Sequence, residues 1–499
     1  MHLSMLLDMA CDGFGERTLV GRARNGMTAA DLRRRARVGA ALLRDQGAEA
    51  LVYLDVNGPA YPVAMFAAAY AGVPLVPVNY RLGEEQLDYL LGQHPGAMAV
   101  TSAESRAHAE SIGLRPLTSQ EWLEATDQDD DGSDAEWSEQ PAIIIYTSGT
   151  TSRPKGVLLR HQNLVSYVFG SVEFAGASED DAALVSVPPY HIAAVANVLS
   201  NLYAGRRTLV LEQFTPQEWL TVVREEAVTN ALVVPTMLAR IVSSEGDVSV
   251  PTLRNLAYGG APMPTRVIER ALTMWPEVGF VNAYGLTETS STIAVLGPED
   301  HRVALASDDP AVRARLGSTG QVLPTVELEI RDMDDQVSAP GEVGRICVRG
   351  DQVSAEYAGV GRAVDERGFF DTRDKGYVDE DGYLFIGGRV DDTIIRGGEN
   401  IAPAEIETVL FDHEDVEDCA VVGVPDDEWG QRIEAAVVAR PGRIVDPESL
   451  REYVRAHLRG SKTPDRIHIM DELPRTETGK LVRRHMVSAI LHRLASVEG

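Results

Sequence analysis

The chain has 499 residues, which at roughly 100–200 residues per domain predicts two to four domains and excludes a peptide or a small stapled module. Apolar residues make up 44% and charged residues 24%, ordinary globular proportions that exclude collagenous and disordered classes. The 46 Lys and Arg against 75 Asp and Glu leave a formal charge of −29, which repels phosphate backbones and anionic lipid and argues against nucleic acid or a membrane as partner.

The first twenty residues have no positive region before their short apolar stretch and carry Asp8 early, so they do not read as a signal peptide. Residues 27–47 place Leu32, Ala36, Leu42 and Leu43 on a helical repeat with Thr28 as cap, and residues 50–55 follow as a short apolar strand. The uncharged run 56–80 is broken at Gly72-Val73-Pro74, too short for a span of about 20 residues, and reads as a buried helix followed by a strand. The acidic Ser/Gly run 127–140 reads as a solvated loop without a binding role. Apolar strands are expected at 142–146, 184–187, 208–211, 231–234 and 255–258 with helices between them, a repetition that implies parallel sheets covered on both faces. After about residue 310 come short strands at 326–331, 343–348 and 383–386, a small antiparallel subdomain. The last region has helical repeats at 404–411, 448–458 and 479–494 and a strand at 419–424, with a boundary near Asp391. Cys11, Cys347 and Cys419 fit no metal spacing and suit a reducing, cytoplasmic setting.

Only four of the 46 cations are lysine, and two of them, Lys155 and Lys480, lie in Gly-flanked loops where a compact ammonium reaches oxygens that a planar guanidinium fits poorly. At 143–156, IIIYTSGTTSRPKG, a buried strand empties into hydroxyls, glycines and a lysine, the donors a polyphosphate needs, although the spacing is not that of a Walker loop. Downstream stand NAYGLTET at 282–289, RVDD at 389–392, RGGEN at 396–400 and PRTETGK at 474–480.

In this order and spacing, over nearly the whole chain, these motifs resemble the adenylate-forming superfamily of acyl-CoA synthetases, peptide-synthetase adenylation domains and luciferases. The acyl-CoA and aryl-CoA synthetase branch is nearest, above all through GGRVDDTIIRGGENIAPAEIE at 387–407. The resemblance implies an α/β fold: an N-terminal domain, 1–390, of two doubly wound βα subdomains plus a small β-barrel subdomain at about 310–388, then a small mobile α+β domain, 391–499, hinged near Asp391. It implies an acid–thiol ligase in which a carboxylate attacks the α-phosphorus of ATP, pyrophosphate leaves, and a thiol takes the acyl group from the adenylate. Since anion meets anion, the catalyst supplies positive charge and alignment.

By the same resemblance Thr147, Ser148, Gly149, Thr150, Thr151 and Lys155 hold the β- and γ-phosphates. Tyr284 stacks on adenine, whose edge meets Asn282 and the Gly260-Ala261 backbone. Thr287 contacts the α-phosphate and Glu288 coordinates Mg²⁺, a hard cation suited to carboxylate oxygens. Asp374 accepts the ribose hydroxyls with Arg389 assisting. Lys480 bridges the attacking carboxylate and the α-phosphate, and is then withdrawn as the tail domain turns. Gly398 lets pantetheine pass close to backbone, and Trp429 stacks on the CoA adenine. Two positions depart from the family pattern: Ser152 and Arg373 each stand where glycine is usual.

By the same resemblance, PPYH at 188–191 matches the region where a gating aromatic or histidine lies over the substrate carboxylate, which nominates His191. Ala193, Ala194, Ala196, Gly259, Gly260 and Ala261 are small, Thr289, Ser290 and Ser291 modest, and no Arg or Lys lies in these segments to pair with a second carboxylate. The expected substrate is a bulky hydrophobic monocarboxylic acid, aryl, alicyclic or medium-chain, transferred to free CoA. One alternative acceptor is the phosphopantetheine arm of a separate carrier protein; an alternative of another class is a nucleotide-binding scaffold or sensor without turnover.

Overall fold

The computed structural model describes residues 1–130, 135–136, 138–147, 154–396, 399–426, 429–458, 460–476 and 481–497. Two large sheets carry the first two-thirds of the chain. The first has eight strands in the order Gly361–Arg362, Glu356–Tyr357, Lys155–Leu159, Ile143–Thr147, Leu75–Pro77, Leu51–Leu54, Met98–Thr101 and Arg115–Thr118. Its βα half is parallel, and its edge turns antiparallel from Lys155–Leu159 outward. The second has nine strands, with Asn255–Gly259, Asn230–Val233, Ala182–Val185 and Arg207–Val210 parallel at its centre. Gly279–Leu286 and Thr18–Val20 extend the parallel run at its two ends, and antiparallel strands lie beyond them on both sides.

One apolar core joins the two sheets, taking Leu51 and Ile143 from the first and Leu184, Leu256 and Tyr258 from the second. Each such side chain adds about 1.5–3 kcal/mol when fully buried. The helix Ala60–Ala71 crosses this core with all its residues buried, which its run of alanines permits. A Cβ at Gly39 of the neighbouring helix Ala29–Asp45 would stand 2.8 Å from Ala67 Cβ, so the two helices pack almost backbone to backbone. Thr28 closes a capping box with Asp31 at the start of that neighbour, and Gly72, at φ +72°, ends the buried helix where the sequence break falls.

The first residues form the helix Ser4–Phe14, whose Leu6, Leu7 and Ala10 enter the common core with Leu3. The described residues of the acidic run are mostly exposed, as expected of a solvated loop, and two of them make specific contacts. Asp127 lies 2.9 Å from both Arg34 and Arg35, and Glu136 N–H donates to Tyr70 O. Those arginines belong to Ala29–Asp45, so Asp127 is tied to that helix, while Glu136 is tied to Ala60–Ala71.

The later β-rich part is a four-stranded antiparallel sheet, Glu327–Arg331, Gly344–Arg349, Phe370–Val378 and Leu384–Arg389, with an apolar cluster around Ile330, Ile346 and Phe370. A short 3₁₀ turn, Val390–Asp392, leads into the final part. There Val416–Asp426 and Gly430–Ala439 pair antiparallel and Arg466–Ile469 adds in parallel. Alternation along Val416–Asp426 sends Cys419 and Val421 into one cluster, with Ile406 and Leu450, and Ala420, Val422 and Val424 into another, with Met486 and Ile490. Both clusters are built from residues after 393. Arg266, on the helix Thr265–Met274, meets this part by donating to Phe411 O at 2.7 Å and Glu417 O at 2.8 Å.

Candidate active site

A cleft of about 2060 Å³ opens at the carboxyl ends of the central strands and is closed over by residues of the final part, among them Arg475, Thr476 and Arg483. Thr147, Lys155, His191, Gly260, Thr287, Glu288 and Arg389 all line it, although they come from widely separated stretches of chain. Ser148, Gly149, Thr150, Thr151, Ser152, Gly398 and Lys480 lie outside the described residues.

Thr287 and Glu288 are presented by a backbone reversal. The strand Gly279–Leu286 ends in a 3₁₀ turn over Thr287–Thr289, and the chain then runs through Ser290 at φ +54° and Ser291 at φ +109°. Such angles cost non-glycine residues energy and persist only where surroundings hold them. Thr289 does the holding: its hydroxyl accepts from Leu286 N–H at 2.9 Å and donates to Ser291 O at 2.7 Å. Thr289 and Ser290 are therefore fully buried and do not shape the substrate pocket, contrary to the expectation from their size.

Glu288 Oε1 accepts from Tyr357 Oη at 2.9 Å, and Lys155 Nζ stands 5.9 Å from the centre of the Tyr357 ring. Burial and the adjacent Glu288 carboxylate push the Tyr357 phenol far up, so it remains a donor. This leaves a carboxylate held by one oxygen at the cleft wall, a donor set that fits a hard divalent cation such as Mg²⁺.

A second cluster lies beside it. Tyr284 Oη donates to Asp374 Oδ2 at 2.6 Å, and Arg389 Nε is 3.5 Å from Asp374 Oδ1. Asp374 and Arg389 are direct partners across neighbouring antiparallel strands, which explains how residues fifteen apart in sequence meet. Burial, then Asp374, raises the Tyr284 phenol well above its ordinary value. Neither Tyr284 nor Asp374 lines the large cleft, and nor do Asn282, Ala261 or Trp429. Strand alternation accounts for Asn282 and Tyr284: Val281, Ala283 and Gly285 face the cleft, so these two point the other way. The Asn282 amide donates to Ser318 O at 2.9 Å. Trp429 is exposed on the final part, with the Arg396 guanidinium 5.3 Å from its ring centre.

Residues 7–358 match the family described as AMP-binding enzyme, and residues 405–480 match the AMP-binding enzyme C-terminal domain. The chain belongs to the AMP-binding enzyme family. This AMP-binding enzyme is 34% identical to a feruloyl-CoA synthase of Amycolatopsis sp, over 93% of its own length and 94% of the relative's. It is 32% identical to the fatty acid–[acyl-carrier-protein] ligase ScoC of Streptomyces coeruleorubidus, covering 87% and 86%. Its structure superposes on o-succinylbenzoate CoA synthetase of Bacillus subtilis in complex with the acyl-adenylate intermediate with a TM-score of 0.84, at 27% identity over 96% and 97% of the two chains.

Two cleft residues escaped the sequence reading. Tyr357 is brought in by pairing with Val157, two hundred positions earlier, a partnership no local pattern reveals. Arg206 also lines the cleft, ten residues beyond the small residues at 193–196. Its visible signal is an arginine pair that interrupts the apolar stretch from 192 to 211.

Proposed function

We propose that this chain is an ATP-dependent acid–CoA ligase that converts a carboxylic acid to its acyl-adenylate with release of pyrophosphate and then to a thioester. The observation that carries the reading is the convergence of Thr147, Lys155, Thr287, Glu288, His191 and Arg389 on one cleft in a chain of this family. Lys155, with the hydroxyls beside it, offsets charge on the β- and γ-phosphates, and Thr287 donates to the α-phosphate. Glu288, oriented by Tyr357, holds Mg²⁺, which when bound withdraws charge from the phosphate oxygens. Asp374 accepts from the ribose hydroxyls while Tyr284 and Arg389 fix its carboxylate. His191, at the start of the helix Ile192–Ala204, stands at the mouth of the acyl channel. Lys480 supplies the ammonium between carboxylate and α-phosphate for the first half-reaction, and rotation about Asp391 then removes it, bringing Gly398 and Trp429 to the thiol and its nucleotide.

Aryl acids are supported as substrates by the feruloyl-CoA synthase relative, and a channel walled by Ala193, Ala196 and Gly259 has room for them. The carrier-protein relative favours a second reading in which the acceptor is a phosphopantetheine arm on a separate chain. All three cysteines are unpaired thiols, which supports a reducing cytoplasmic setting, and among the described residues no helix is long and apolar enough to cross a membrane.

The test is acid-dependent pyrophosphate release by the purified chain, followed by mass analysis with CoA or a carrier added. ATP binding without release across a broad acid panel would leave only a scaffold. Lys480→Ala should abolish release yet spare thioester formation from supplied acyl-adenylate; equal loss of both removes the alternation from the mechanism.

A further inference from the structure

The cleft continues as a channel beneath the helix Ile192–Ala204, and its floor is cut by a period-two pattern of small residues. Asn255, Ala257 and Gly259 face it from one strand and Val281, Ala283 and Gly285 from the next. From Gly259 to Asn255 is four strand steps, about 13 Å, and from His191 to Asn201 along the covering helix is ten helical steps, about 15 Å. Both rulers carry the channel from the catalytic edge of the sheet to its opposite edge.

That far end is polar. Asn201 is 4% exposed, and its Nδ2 has no hydrogen-bond partner among the described residues; the same holds for Ser200 Oγ and Arg206 Nε, and all three residues line the channel. Arg206 is placed there because Arg207 pairs with Ala182 while Asn230 pairs with Ala183 and Asn255, so all stand at one edge. One Arg206 nitrogen donates to Asn201 Oδ1 at 2.9 Å, and among the described residues no carboxylate lies within ion-pair distance of its guanidinium. The acid that acts on Arg206 through space, Asp181, is already held by Arg254 at 2.9 Å and by Ser178 N–H. Arg17 anchors to the carbonyl of adjacent Gly205, adding positive charge nearby. In a chain of net charge −29, this pocket end is locally cationic and rich in unused donors. A part-buried guanidinium with no carboxylate in contact is incompletely compensated, and unpaired buried donors are uncommon in native proteins.

We propose that Ser200, Asn201 and Arg206 form an oxygen-accepting subsite that selects acids carrying a second oxygen function, best a carboxylate, about 13 Å from the reacting carboxylate. The inference deepens the ligase reading and rests on it. It replaces a purely hydrophobic tail with a polar terminus and still excludes malonate-like acids, which are too short to reach. Arg206 and Asn201 donate to the distal group, and Ser200 adds a hydroxyl.

The test compares acids of matched length ending in methyl, hydroxyl, carbonyl or carboxylate, read as kcat/KM for pyrophosphate release. The oxygen-ended acids should be favoured, the carboxylate by about tenfold or more, because a site built to hydrogen-bond rejects the analogue that leaves it unpaired. Arg206→Met should bring the carboxylate-to-methyl ratio close to one. Equal or better use of the methyl-ended acid by the native chain overturns the subsite, as does a preference that survives Arg206→Met. Binding supplies a readout free of turnover and of variants: non-hydrolysable acyl-sulfamoyl adenosines with the same endings should raise Tm, the carboxylate-ended one most. Equal shifts overturn the subsite alone; no shift with any of them, and no pyrophosphate with any acid, overturns the ligase reading and the subsite with it.

Discussion

Arg373 Nη2 stands 3.0 Å from Asp391 Oδ1, tying the β-rich sheet to the turn that leaves it. Arg373 adopts φ +64°, the left-handed conformation that glycine takes at no steric cost, and it occupies a position where the family pattern has glycine. The side chain thus contributes a tether to the proposed pivot at the expense of backbone strain. Arg373→Gly is expected to change stability by no more than about 1 kcal/mol, because loss of a partly exposed ion pair and relief of the strained backbone oppose one another. The rate of thioester formation should change relative to adenylation, since the tether on Asp391 is gone. Thermal unfolding and the two half-reaction rates check this, and an unaltered ratio of half-rates would remove the tether from the pivot's mechanics.

Tyr357→Phe should raise the Mg²⁺ concentration needed for half-maximal adenylation by about tenfold, since a hydrogen bond to a charged group contributes about 1.5–3 kcal/mol. The motivating contact is Tyr357 Oη to Glu288 Oε1 at 2.9 Å. Glu288→Gln should weaken metal dependence further. A Mg²⁺ titration superimposable on that of the native chain would detach Tyr357 from the metal site.

Tyr284→Phe removes the 2.6 Å bond to Asp374 and leaves that carboxylate, 9% exposed, short of a donor. The expected outcome is a higher KM for ATP with a smaller effect on kcat, and a stability loss of about 1–3 kcal/mol. Because burial raises the Tyr284 phenol well above its ordinary value, its ionisation should add no limb to the activity profile between pH 7 and about 9. A kcat defect with ATP KM untouched would contradict the nucleotide role.

His161 sets an acid limit on stability. Its Nδ1 accepts from Leu3 N–H at 3.2 Å, and the His2 ring stacks on it with centroids 3.8 Å apart. Burial first, then the neighbouring positive groups His2, the chain amine and Arg160, push its pKa down from 6.5 to about 3. The unfolded chain therefore takes the proton first, and stability falls as pH drops from 6.5 toward 3, by up to about 2 kcal/mol at pH 5. His161→Asn keeps an acceptor for Leu3 and cannot titrate, so its stability should decline less steeply over that range. Parallel curves for the two proteins in pH-dependent denaturant unfolding would rule His161 out as the sensor.

Much of this architecture is legible in the chain because its signals are local. Thr28 and Asp31 announce the helix Ala29–Asp45, Gly72 the end of Ala60–Ala71, and the apolar runs around Leu184, Ala231 and Leu256 the parallel strands. The residues lining the cleft are legible where a motif carries them, as at Thr287 and Glu288. What stays hidden depends on distant pairing. Nothing near Tyr357 points to Glu288, and nothing near Asp127 points to Arg34 and Arg35. Arg206 sits two residues beyond a helix and one before a strand, where a charge usually marks a solvated corner; only the sheet's register reveals that this corner closes a channel.

The two faces of the strands Asn255–Gly259 and Gly279–Leu286 have different occupations. On one, Leu256, Tyr258 and Phe280 are fully buried and cement the fold. On the other, Ala257 and Ala283 merely leave space. Exchanging a methyl at either alanine for a longer side chain would shorten the admissible guest without disturbing the cement behind it. Diversification of diet among descendants of such a scaffold can proceed by single steps at these columns, each adjusting reach while the frame stays intact.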